Sequence, residues 1–287
     1  MRALLAVLAV PASLLLVACG DGAPPAGGAG GGAGRDDGRE AAGAPPPAAA
    51  APAPDPAGWP APGPARAGVD VLEIAAAGFE RVDHVVDPRV GEATLAFHSG
   101  RAPAQAFLTV RLHPDVGAAR AHLAAAVRAC TMPLAPERVA GDVALGARGD
   151  GRLLYLAAAR GNVTLIARAA GADLDLGPLV DAADKAVLAA PVLVPGRAPP
   201  GPRILGVEAA AAVAGRPVPL ALAFDRALPE PAYVVFDAGP DAGVVRTETG
   251  YELHASRPGR LEVRLFACSR ALQASSLAFS IDVRAGD

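Results

Sequence analysis

Lysine is nearly missing from this chain. Lys185 is the only one in 287 residues, so arginine carries almost all of the positive charge. With a formal net charge of −3 and a pI near 6.0, nothing resembles the clustered cations that nucleic-acid binding needs to neutralise many phosphates. Nucleic acid is therefore excluded as a partner. Aromatic residues are scarce too, at 4%, while hydrophobic residues reach 52%, much of it alanine, which buries little surface. Cores built from such a chain should be small and aliphatic. Motifs for hydrolysis and phosphate binding are absent: there is no Gly-x-Ser-x-Gly elbow and no His-Glu-x-x-His. The single lysine follows Asp184, so no glycine-lysine P-loop exists. The length suits one large domain or two modest ones, and two fit the composition better.

What is present begins with an apolar run. After Met1 and Arg2, residues Ala3 to Ala18 are almost wholly apolar, too short a stretch to span a membrane comfortably and shaped like a signal peptide. The segment Leu16-Val17-Ala18-Cys19 resembles the bacterial lipobox. That resemblance implies export, removal of residues 1–18, and diacylation of Cys19, which becomes the membrane anchor. Gly20 follows the cysteine where an aspartate would favour retention at the inner membrane. The expected location is thus the outer membrane, facing the periplasm or the cell surface. Residues 19–68 are rich in Gly, Ala and Pro, with a charged patch at Arg35 to Glu40. They bury too little apolar surface to offset ordering entropy and read as a disordered tether. The glycine tract Gly27 to Gly34 has no strand before it and no helix after it, so it is linker rather than a phosphate loop.

Residues 69–195 read as an α+β domain. Thr94 to His98 and Ala106 to Leu112 have strand character, and His113-Pro114-Asp115 then opens a helix with Val116, Ala119, Leu123, Val127 and Cys130 along one face. Leu153 to Ala158 and Asn162 to Arg168 form a hairpin across Arg160-Gly161. A second helix follows, with Pro178 in its first turn and Leu176, Val180, Ala183 and Val187 in a stripe. This order predicts an antiparallel sheet with both helices on one face. The run from Gly141-Asp142-Val143 to Arg160-Gly161-Asn162-Val163-Thr164 weakly resembles uncharacterised α+β domains of bacterial envelope proteins, which implies fold and compartment but no activity.

Pro195, Pro199, Pro200 and Pro202 mark a boundary, and residues 202–285 change character. Val218, Leu220, Leu222 and Phe224 alternate with other residues, as do Leu261, Val263, Leu265 and Ala267, and Leu277, Phe279, Ile281 and Val283. With Ile204 to Glu208, Tyr233 to Asp237, Val244 to Thr247 and Tyr251 to Ala255, about seven strands are expected, as in a β-sandwich. The run Ser256-Arg257-Pro258-Gly259-Arg260-Leu261-Glu262-Val263-Arg264-Leu265 resembles the approach to a late strand in bacterial Ig-like domains of the PKD or cadherin-like kind. The resemblance implies an all-β Ig-like sandwich.

The candidate site residues are few. His84, His98, His113, His122 and His254 are scattered; His113 reads as a helix-start residue and His122 as a solvent-facing one. His84 with Asp83 and Asp87 is the one cluster with metal-binding character, short of the three or four convergent donors a site needs. Asp237 and Asp241, and Asp173 and Asp175, read as turn and cap residues, since calcium requires six to eight oxygens. Asn162-Val163-Thr164 reads as a turn residue followed by β-formers. Expected catalytic, cofactor and metal residues are therefore none, and Cys19 is the only assigned site. Cys130 should point into the first core and Cys268 away from the second, so no disulfide is expected between them. The expected function is non-enzymatic binding or assembly by a lipid-anchored protein, through an envelope protein partner. The alternatives are an accessory or regulatory pair for an envelope hydrolase, or a divergent hydrolase.

Overall fold

The computed structural model describes residues 58–100, 105–171, 173–209 and 212–286. Cys19 and residues 1–57 lie outside them. The fold is β-rich with two α-helices. Strands β1 (Phe79–Asp87), β2 (Glu92–Ser99), β3 (Gln105–Leu112), β4 (Ala135–Pro136), β5 (Val143–Gly149), β6 (Arg152–Arg160) and β7 (Val163–Ala169) form one antiparallel sheet in the order β1-β2-β3-β7-β6-β5-β4. Helix α1 (Val116–Ala129) lies between β3 and β4 in the chain, and α2 (Gly177–Ala189) follows β7.

The helices do not share a face, which corrects the expected layering. On β6, Leu156 and Ala158 join a core with Leu179, Val180, Ala183 and Val187 of α2. Tyr155, Ala157 and Ala159 of the same strand join a second core with Leu123 and Val127 of α1. Successive side chains of a strand point to opposite faces, so α1 and α2 cover opposite sides of the sheet. The reason is legible in β6 itself: Leu153 to Ala159 is an almost unbroken apolar run, the mark of a strand buried on both faces. β1, β4 and β5 were not expected. Charged and exposed along most of its length, β1 forms an edge of the sheet, with a register break between Arg81 and Asp83. Charges and bulges are common devices for blunting such edges.

Ordered chain also begins earlier than the expected tether end at residue 68. Residues 58–69 form a strap across the sheet ends. Gly63 N–H donates to Asp142 Oδ2 at 2.7 Å and Arg66 N–H to Asn162 Oδ1 at 2.6 Å. Ala67 N–H donates to the Pro191 carbonyl at 2.8 Å, and Arg66 forms a bridge with Val192. Composition pointed to a coil, but long-range partners satisfy this segment's backbone.

Eight strands follow: β8 (Ile204–Ala209), β9 (Ala212–Val213), β10 (Pro217–Phe224), β11 (Tyr233–Asp237), β12 (Ala242–Arg246), β13 (Tyr251–Ala255), β14 (Gly259–Cys268) and β15 (Ala274–Arg284). They build two four-stranded sheets, β12-β13-β10-β8 and β11-β14-β15-β9. Val218, Leu220 and Leu253 from one sheet share a core with Ile281 and Val283 from the other. The turn between β14 and β15 leaves this core. Cys268 and Leu272 are fully buried in the core between the seven-stranded sheet and α2. Cys268 thus turns away from its own unit, as alternation requires, and into the neighbouring one. Cys130 caps the end of α1, half-buried, and no disulfide joins the two cysteines. No helix among the described residues is long and apolar enough to cross a membrane.

Candidate functional site

One set of convergent polar groups lies beneath α1. β3 and β7 pair so that Arg111 stands opposite Thr164. The ladder continues one step further, with His113 N–H donating to the Asn162 carbonyl at 2.8 Å. Alternation places the Arg111 and His113 side chains on the face that carries Thr164, and Asp115 then caps α1 by accepting from Ala118 N–H at 2.8 Å. The helix returns His122 over the same strand. His113 Nε2 and His122 Nδ1 each lie 3.1 Å from Thr164 Oγ1, and the two rings are 5.0 Å apart, centre to centre.

Thr164 and His113 are buried, at 1% and 3% exposure. A threonine hydroxyl has one hydrogen, so it donates to one ring and accepts from the other. The ring that accepts must be neutral, whereas the ring that donates can do so neutral or protonated. Burial, with the nearby Arg111 guanidinium and the second ring adding to it, pushes His113 down to about 3. His122 is also lowered, by burial and then by Arg111. Arg111 has a buried Nε with no hydrogen-bond partner and stands 3.9 Å from Glu92. Burial raises the Glu92 carboxyl above its ordinary range, more than Arg111 lowers it. Sequence reasoning read His113 as a helix-start residue and His122 as a solvent-facing one, and missed this cluster. The available signal was His122 next to Leu123 on the buried stripe, one residue from the seam.

A second polar cluster fixes the strap. Arg160 donates from Nε and Nη2 to the two Asp184 oxygens, both at 2.7 Å, and its Nη1 lies 3.4 Å from Asp142 Oδ1. Asp142 accepts from Gly161 N–H at 2.7 Å and Asp184 from Gly141 N–H at 2.9 Å. Gly161 has φ +54°, and a Cβ there would collide with the Pro64 carbonyl of the strap, so glycine is required on both counts. Asn162 is fully buried and donates from Nδ2 to the carbonyls of Arg66 and His113. Read from sequence as a turn residue, it is the joint between strap, hairpin and α1.

The remaining candidates stay apart. Asp83 and His84 leave β1 on opposite faces; Asp83 accepts from the His84 backbone and the His84 ring lies 3.5 Å from the Tyr233 hydroxyl. Asp87 caps the turn at Arg89. Asp175 accepts from Leu153 and Gly177 N–H, and Asp173 pairs with Arg152. Asp237 accepts from Gly239 N–H, and Asp241 pairs with Arg257. Among the described residues, no three His, Cys, Asp or Glu side chains group as metal ligands.

Three surface concavities lie elsewhere. Grooves of about 620, 670 and 680 Å³ run beside Trp59 and Asp142, beside Pro64 and Val194, and beside Phe79 and Asp173, and neither histidine lines any of the three. α1 packs on β6 and β7. Beyond it, Glu92, Thr94 and Ala96 of β2 and Phe107, Thr109 and Arg111 of β3 are half-exposed, and Val82 and Val85 of β1 stand 51% and 63% exposed. No family model matches the chain, and no curated protein matches it.

Proposed function

We propose that this chain is a lipid-anchored protein of the bacterial envelope, held by Cys19, with a non-enzymatic binding or assembly role toward another envelope protein. In this reading residues 1–18 are a signal peptide, the membrane is the outer one, residues 69–195 and 202–285 are its two domains, and the second is an Ig-like β-sandwich. The observation that carries the role is the contrast between the two polar environments of the seven-stranded sheet. Its convergent side chains, His113, His122 and Thr164, are sealed under α1, whereas β1 to β3 present a half-exposed face edged by Val82 and Val85. A ligand site would place convergent polar groups in a concavity, while an open surface suits a protein partner.

The test has two arms. Mass spectrometry of the mature N-terminus should find acylated Cys19 with residues 1–18 removed, and Cys19→Ser should release the protein from membranes. A photo-crosslinker at Val85, used in intact cells, should capture one discrete envelope protein that the same probe at Leu205 does not. An unacylated mature chain refutes the anchor, and identical capture from both positions refutes the role given to the open face.

A further inference from the structure

We propose that His113, Thr164 and His122 form an acid-sensitive latch on α1: at neutral pH two uncharged rings share one hydroxyl and hold the helix on the sheet, and acidification drives the helix off. This does not depend on the functional reading above. The geometry is specific. α1 meets the sheet over β6 and β7, and its polar contact there is the Thr164 hydroxyl, 3.1 Å from both rings. His113 is anchored in the strand ladder through its own N–H, whereas His122 travels with the helix. The hydroxyl therefore ties the helix to the sheet.

The charged surroundings determine the direction. Toward the two rings face Arg111 from β3, Asp115 from the helix cap, and each ring toward the other. From β2, Glu92 stands behind Arg111. β6 contributes Tyr155, with Ala157 and Ala159, to the core beneath the helix, and the strap contributes Trp59 to the same core and the Pro60 carbonyl, which accepts from Arg120. A proton added to either ring makes a cation beside Arg111 in a partly to fully buried site; Asp115 opposes this only weakly for His113.

Both rings have folded pKa values below the ordinary value of 6.5, so their contribution to helix docking is complete above that pH and is lost as pH falls below it. Glu92 works the other way, because its raised carboxyl favours the folded sheet as it takes up a proton. That effect belongs to the sheet and not to α1 alone. For a ring that titrates at 6.5 when released and stays neutral when docked, lowering pH from 7 to 5 multiplies the released population by about 25.

Hydrogen exchange on the purified full chain, corrected for intrinsic rates, tests this. Opening of α1 should rise at least tenfold between pH 7 and pH 5, while α2, which has no histidine, changes little. His122→Gln keeps a partner for the hydroxyl but cannot be protonated, and it should reduce the α1 response to the share that His113 carries. Should that variant not fold, ring titration by NMR in the unaltered protein decides: His113 and His122 should stay neutral below the ordinary imidazole value of 6.5 while the helix is docked. Equal responses of α1 and α2, a full response in His122→Gln, or both rings titrating near 6.5 without release of the helix would each overturn the latch.

Discussion

The two halves of this molecule solve the same packing problem with different materials. The seven-stranded unit buries polar and charged groups, among them Arg66, His113, Asn162, Thr164 and Asp184. The core shared by the two four-stranded sheets is built of Ala, Val, Leu and Ile. Buried polar groups cost stability unless every partner is present, so where they are satisfied they admit one arrangement only. The first unit uses them where elements distant in sequence must meet: strap to hairpin through Asn162, α2 to hairpin through Asp184 and Arg160, and α1 to β7 through Thr164. The second unit also pairs strands distant in sequence, only β12–β13 and β14–β15 being consecutive among its six pairings, yet it joins them through an alternating apolar core. Among the described residues its buried polar side chains are Ser269 and Gln273, in the turn that docks on the first unit, where Gln273 Nε2 donates to the Ala67 carbonyl.

That contrast breaks most readily at Arg160. Arg160→Leu leaves the Asp184 carboxylate, whose side chain is 10% exposed, without its counter-charge, and should cost about 3 kcal/mol in urea unfolding. A loss under about 1 kcal/mol would mean that the polar cluster does not fix the first unit. A somewhat smaller effect is expected from Leu272→Ala, about 2 to 3 kcal/mol for a fully buried leucine. Its location sharpens the comparison: although Leu272 belongs to the β14–β15 turn, exchange protection should fall in β2 and α2, whose residues share its core. A loss confined to β14 and β15 would make the units independent. The smallest effect belongs to Lys185→Ala. The Lys185–Asp181 pair is as short as the Arg160 pair, at 2.6 Å, but its side chains are 72% and 55% exposed, so the unfolding midpoint should shift by no more than about 0.5 kcal/mol equivalent.

How much was legible varies by region for the same reason. Seven strands of the second unit stand close to where alternation put them, because period two directly encodes which side chains share a face; only the two-residue β9 was missed. In the first unit the α2 stripe of Leu176, Val180, Ala183 and Val187 is fully buried as expected, and Asp115 and Pro178 mark helix starts as they should. β1 was invisible, since an exposed edge strand carrying Glu80, Arg81, Asp83 and Asp87 has no apolar period to read. The strap was misread because its order comes from partners such as Asp142, 79 residues from Gly63.

The sequence by itself determined the local elements: side-chain spacing within a strand or helix is a property of that element's own geometry, and caps act within one turn. Only the tertiary structure decided that α1 and α2 take opposite faces, that Cys268 and Leu272 fill a neighbour's core, and that Thr164 receives two histidines from 51 and 42 residues away. Such meetings depend on strand order and on which face a helix crosses. Local periodicity specifies a buried face but not the element that buries it.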